Sequence, residues 1–250
     1  MIKQLPNIIT SLNLLCGSVA VLFAVSGDLI TASFFVFFGV FFDFFDGLAA
    51  RLLDAQSDVG LELDSLADLI TSGLAPAIVM VQLLSEATLG HHLIMTNLLS
   101  EASWNSGIES YVPFIGLLIA VASAYRLAKF NVDTRQTTSF IGLPTPANAL
   151  LILSIPLMLH FQYFEGLENV VLNPWVLIAL TVMSSLLLNA EIPLFALKFK
   201  TWDIKSNITR YVFIVVSLLA VFLLKFIAIP VLIGIYIILS LLTNSKVQSK

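Results

Sequence analysis

The stretch "DFFDGLAARLLDAQSDVGLELDSLAD", residues 43–68, sets Asp43, Asp46, Asp64 and Asp68 inside or at the edge of segments that otherwise read as membrane-spanning. Residues three or four apart share a helix face, so Asp43 with Asp46, and Asp64 with Asp68, form one pair on each of two neighbouring helices. At about 1.5 Å rise per residue, Asp43 lies roughly 12 Å deeper than Arg51 and Asp68 roughly 15 Å beyond Asp58. The two pairs therefore meet at similar depth across a short turn. An aspartate at mid-membrane costs about 2.5–3.5 kcal/mol on insertion scales, and four close carboxylates also repel one another. Hard divalent cations, Mg²⁺, Mn²⁺ or Ca²⁺, relieve both problems because they prefer oxygen ligands. Two such ions held by shared carboxylates suit a phosphoryl displacement. The plainer alternative is that the acids pair with arginines or line a polar crevice. It fits any one aspartate as well, and four in register much less.

Composition makes lipid the solvent. Of 250 residues, 58% are hydrophobic and 11% charged, whereas a soluble domain carries about 25% charged residues. The net charge of −4 gives no reason to expect a nucleic-acid partner. The single cysteine, Cys16, allows no internal disulfide. The apolar N-terminus lacks a convincing cleavage site and reads as a retained first helix.

Stretches long enough to cross the bilayer, about 20 residues each, recur at 7–26, 30–53, 59–83, 111–130, 144–163, 170–190, 207–225 and 228–244. The fold expected is an all-α, polytopic membrane bundle of about eight helices. It forms a single domain over 1–250, with the last two helices, 207–244, a tight hairpin. With the N-terminus inside, eleven of the twelve basic residues fall on one side and only Lys225 on the other, so both termini are expected in the cytoplasm. The loop 84–110 faces out, and a short surface helix within it is compatible with its length. His91, His92 and His160 fall on that outer side and read as surface groups. The phenylalanines of "FFVFFGVFFDFF" read mostly as lipid-facing bulk.

Small residues beside the acids, Gly47, Ala49, Ala50 and Gly60, let a ligand or a neighbouring backbone approach closely. Arg51 stands where an anionic phosphate could meet it, a role compatible with anchoring the helix end. The full pattern is Asp43-x2-Asp46-Gly47-x2-Ala50-Arg51-x8-Gly60-x3-Asp64-x3-Asp68. It resembles the signature of the CDP-alcohol phosphotransferase family, membrane enzymes that make phospholipids, and all eight fixed positions match. The resemblance implies a six-helix core over roughly 1–190 and a homodimer. It implies two divalent cations, Mg²⁺ or Mn²⁺ with Ca²⁺ a further option, bridged by Asp43 and Asp64 and completed by Asp46 and Asp68. Asp68 would be the general base. Asp46, Gly47, Ala50, Arg51, Ser57 and Gly60 would line the CDP-diacylglycerol site. Asn7 and Thr10, from "PNIIT", would reach its phosphates.

Beyond the signature, "ELDSLADLITSGLAPA" (62–77), "SAYRLAKFN" (123–131), "FIGLPTPANA" (140–149) and "AEIPLFALKFK" (190–200) resemble the membrane-embedded bacterial phosphatidylserine synthases of that family. This implies a prokaryotic cytoplasmic membrane and L-serine as acceptor. Serine's carboxylate needs a cation, and Arg126 and Lys129 are the candidates, although both also suit orientation anchoring. Other acceptors in the same family, glycerol phosphate, inositol or inositol phosphate, or an archaeal-type lipid donor, stay open. A cation transporter is a remote alternative, because the outer halves of the spans offer no continuing polar path.

Overall fold

The computed structural model describes residues 2–94, 108–133, 140–162, 164–194 and 215–248. Helix α1 is Leu5–Val25, α2 is Leu29–Leu52, α3 is Asp58–Leu89 and α4 is Glu109–Val132. Then come α5 (Thr145–Phe161), the short α6 (Leu167–Val171) and α7 (Pro174–Asn189). Residues 215–224 form α8, and α9 is Ala228–Gln248. Two two-residue strands, β1 (Phe140–Ile141) and β2 (Pro193–Leu194), pair antiparallel.

Local sequence explains most boundaries. Asp28 caps α2 by accepting from Thr31 N at 3.0 Å, and Ser57 caps α3 by accepting from Gly60 N at 3.1 Å. Gly90, at φ 75°, closes α3 in the left-handed conformation that favours glycine. The buried face of α1 is Pro6, Thr10, Asn13, Gly17, Ala20 and Ala24, a stripe of small and polar residues at alternating spacings of four and three. The facing stripe of α2 is Leu29, Ala32, Ser33, Val36, Gly39 and Asp46, while Phe34, Phe38, Phe41, Phe44 and Phe45 point outward. The phenylalanines thus form the exposed side of α2 and the acids its inner side.

Helix α3 is the centre of the bundle: 72% of its apolar window is buried, against 28% and 33% for α1 and α2. At about 1.5 Å per residue it is longer than the ~30 Å hydrocarbon layer. Its first turns carry Asp58 and Glu62, both exposed. Two glycines let α3 approach this closely. A Cβ on Gly17 would run into the Thr71 hydroxyl and stand 2.8 Å from Thr71 Cα; one on Gly39 would run into the Thr71 methyl and stand 2.9 Å from Asn13 Oδ1.

Among the described residues, five helical stretches are long and apolar enough to cross a membrane, which leaves the expected count of eight over the whole chain untested. Two of the expected spans, 144–163 and 170–190, are shorter helices of 17 and 16 residues. Prolines near their first turns fix their starts. Helix α5 is buried on all sides from Leu151 to Met158, so protein rather than lipid surrounds it. The last long stretch, Val215–Leu241, is interrupted by a 3-10 turn, Lys225–Ile227, with Lys225 at φ 47°. Gln162 holds that turn: its side-chain amide donates to Leu224 O at 2.8 Å and accepts from Phe226 N at 2.7 Å. Residues 207–214 of the seventh expected span, residues 95–107 of the loop 84–110, and Arg135, Lys198, Lys200, Lys205, Arg210 and Lys250 lie outside the described residues.

Candidate phosphotransfer site

The cytoplasm-side ends expected for α1, α2 and α3 converge on one pocket of about 450 Å³. Asn7 and Thr10 line it from α1, and Asp46, Gly47, Ala50 and Arg51 from α2. Ser57, Gly60 and Asp64 line it from the turn and α3, with Gln56 added by the structure. A Cβ on Gly60 would stand 3.1 Å from Asn7 Oδ1 and Ser57 Oγ, so its small size lets α1 and α3 close around the pocket. Arg51 is exposed at the rim.

Deeper, Asp43, Asp64 and Asp68 each offer a carboxylate oxygen, and these three atoms lie within 4.8 Å of one another. Asp46, one turn on from Asp43, is 5% exposed and opens into the pocket. The acids are therefore a trio with a fourth carboxylate at its mouth, not four equivalent groups. Asp46 Oδ2 and Asp64 Oδ1 are buried with no hydrogen-bond partner. Among the described residues no lysine or arginine forms a salt bridge with any of the four. Buried carboxylates with unsatisfied oxygens and mutual repulsion are unfavourable unless cations share the space. The donor set is all oxygen, at separations one or two small ions can span, so a divalent cation fits it.

Asp68 is the best-positioned member. Asn13 Nδ2 donates to its Oδ1 at 3.3 Å, and Thr71 Oγ1 donates to Asn13 O at 3.1 Å, locking α1 to α3. Asp68 also ends the regular part of α3: Leu69–Leu74 winds as a π-helix. Such wide turns rotate the following side chains relative to an α-helix and often mark functional positions. Of the basic residues proposed for the acceptor, Arg126 is 8% exposed and interacts electrostatically with Asp68. Lys129 instead pairs with Glu191 at 3.1 Å and is 31% exposed. Asn13 and the π segment were not singled out by sequence reasoning. Asn13 shares the face of Pro6, Thr10 and Gly17, which is the signal that could have found it.

Fold and site together define an integral membrane protein with a buried carboxylate centre at the base of a ligand-sized pocket. The family profile described as CDP-alcohol phosphatidyltransferase matches residues 3–187, and the chain belongs to that family. It is 37% identical over 158 residues to the CDP-diacylglycerol--serine O-phosphatidyltransferase of Bacillus subtilis, covering 61% of this chain and 76% of that protein. To the protein of the same name in Helicobacter pylori strain 26695 it is 29% identical over 237 residues, 93% of this chain and 87% of the other. It is also 30% identical over 182 residues to the archaetidylserine synthase of Methanothermobacter thermautotrophicus, 72% of this chain and 66% of that one.

Proposed function

We propose that the protein transfers the phosphatidyl group of CDP-diacylglycerol to the hydroxyl of L-serine, giving phosphatidylserine and CMP, at the cytoplasmic face of the membrane. The observation that carries the reading is the continuity of one site: a nucleotide-sized pocket leads to three clustered carboxylates, and a buried arginine lies within electrostatic range of the last of them. The relatives' names supply serine as the acceptor.

In this reading Asn7, Thr10, Gly47, Ala50, Ser57 and Gly60 shape the CDP side of the pocket, and Arg51 meets the diphosphate. Asp43, Asp46, Asp64 and Asp68 would hold two divalent cations. Bound there, such ions would neutralise charge on the diphosphate and on departing CMP. Asp68 takes the proton from the serine hydroxyl while that oxygen forms its bond to the lipid-linked phosphorus and the bond to CMP breaks. Asn13 fixes the orientation of the Asp68 carboxylate for this task. Arg126 pairs with the serine carboxylate, and Lys129 supplies positive charge at the helix end.

A second reading changes the donor only. The archaetidylserine synthase relative favours an ether-linked CDP-archaeol in place of CDP-diacylglycerol, with the same acceptor. Purified protein in nanodiscs, offered each donor with L-serine, glycerol 3-phosphate or inositol, decides between them by CMP release. CDP-diacylglycerol with serine is the productive pair expected. Chelator should stop it and Mg²⁺ or Mn²⁺ restore it; faster turnover with another acceptor would overturn the reading.

A further inference from the structure

Around the π segment, on the side of Asp68 away from the signature, the structure buries polar groups that its own hydrogen bonds leave unsatisfied. Ser72 lies within the segment. Ser123 and Arg126 come from α4, and Asn148 from the first turn of α5, two helices that both pack on the segment and on each other. Ser123 sits directly across from Gly73, where an added Cβ would stand 3.0 Å from Ser123 Cβ and 3.5 Å from its hydroxyl. Ser72, Ser123 and Asn148 are 0% exposed and Arg126 8%.

Their lack of partners is unusual within this molecule. Buried hydroxyls in its helices normally turn back to a carbonyl one turn earlier, as Ser33, Ser154, Thr181 and Ser184 do. Ser72 Oγ and Ser123 Oγ make no such bond. Three amide side chains are buried among the described residues: Asn13, Gln82 and Asn148. Gln82 is bonded at both ends and Asn13 at its nitrogen, but Asn148 has neither Nδ2 nor Oδ1 partnered. Arg126 Nε is unpartnered too. A buried polar group without a partner costs more than a made hydrogen bond returns, so a set of them on three converging helices implies a polar occupant.

Resting on the proposed acceptor reaction, we infer that Asn148, with Ser72 and Ser123, completes a pocket with Arg126 for the head of an α-amino acid, and that Asn148 determines acceptor specificity. The guanidinium takes the carboxylate, Asn148 Oδ1 accepts from the ammonium, and the hydroxyl is left facing Asp68. Three attachment points fix chirality. Arg126 is the single cation among the described buried residues, so the site matches a carboxylate monoanion rather than a phosphate dianion. The location of Asn148 is itself held from outside the site. Gly142, at φ 74°, and Leu143 dock on the end of α7 through Gly142 N to Ile192 O (3.0 Å) and Leu143 N to Leu187 O (2.9 Å), fixing where α5 starts.

The test is steady-state CMP release by full-length wild type and Asn148→Ala in nanodiscs, varying L-serine, D-serine and CDP-diacylglycerol in turn. Loss of a buried hydrogen bond to a charged head predicts an L-serine KM raised about tenfold or more. The preference for L- over D-serine should narrow, while the KM for CDP-diacylglycerol stays put. An unmoved serine KM and unchanged stereochemical preference would overturn the inference, as would equal changes in both substrates' KM. Wild type inactive with serine would overturn the acceptor assignment itself. Should Asn148→Ala fail to fold, Ser123→Ala deletes one oxygen only and should raise the serine KM alone, about threefold.

Discussion

Replacing Gly17 or Gly39 by alanine tests whether the tight fit of Thr71 between α1 and α2 positions Asp68. A Cβ at Gly17 would lie 2.8 Å from Thr71 Cα and 2.9 Å from Thr71 Cβ, about 1 Å inside the usual carbon–carbon separation of ~3.5–4.0 Å. Part of the obstacle is backbone, so no rotamer change relieves it and α3 must shift by a comparable distance. Overpacking of this kind costs about 1–3 kcal/mol. Asp68, one turn before Thr71, moves with the helix, and a displacement of ~1 Å at a reacting group can cost about 100-fold in rate. At Gly39 the new carbon meets the Thr71 methyl and Asn13 Oδ1 instead. Thr71→Ser removes that methyl but not the Cα and Cβ that oppose Gly17. CMP release and thermal melting of both alanine variants, each with and without Thr71→Ser, should therefore show partial rescue of Gly39→Ala and none of Gly17→Ala. Wild-type activity and melting in Gly17→Ala, or equal rescue of both, would refute the reasoning.

Three further outcomes follow from other contacts. Asp68→Asn should keep the fold, since its amide still bonds Asn13, yet abolish CMP release; undiminished turnover would remove Asp68 from its role. Asn13→Ala deletes the 3.3 Å bond to Asp68 and should lower kcat about tenfold, the worth of a hydrogen bond to a charged group. The KM for CDP-diacylglycerol should be unchanged, and a KM effect alone would place Asn13 in donor binding. Gln162→Leu loses its bonds to Leu224 O, Phe226 N and Ile227 N and should lower stability by about 1–3 kcal/mol. This shows as a lower melting temperature with the KM of both substrates intact.

The clustering of the acids and the membrane setting were legible because each rests on short-range regularity. Asp43 with Asp46 and Asp64 with Asp68 needed only helical spacing, and α1, packed on both acid-bearing helices, is what the structure adds between them. The setting of the spans was less legible. Hydropathy treats 144–163 and 170–190 like any apolar run, and only packing shows that α5 is enclosed by protein. Arg126 and Lys129, three residues apart, looked equivalent; packing buried one within electrostatic range of Asp68 and left the other to Glu191.

By itself, then, the amino-acid order determined that this chain lives in lipid and that two adjacent helices present acids at one depth, since both follow from composition and the 3.6-residue turn. Only tertiary structure decided that a π segment follows Asp68, that Thr71 wedges between Gly17 and Gly39, and that Ser72, Ser123, Arg126 and Asn148 gather around that segment. Those positions are up to 76 residues apart along the chain. No local periodicity links them, because their meeting is set by how whole helices pack.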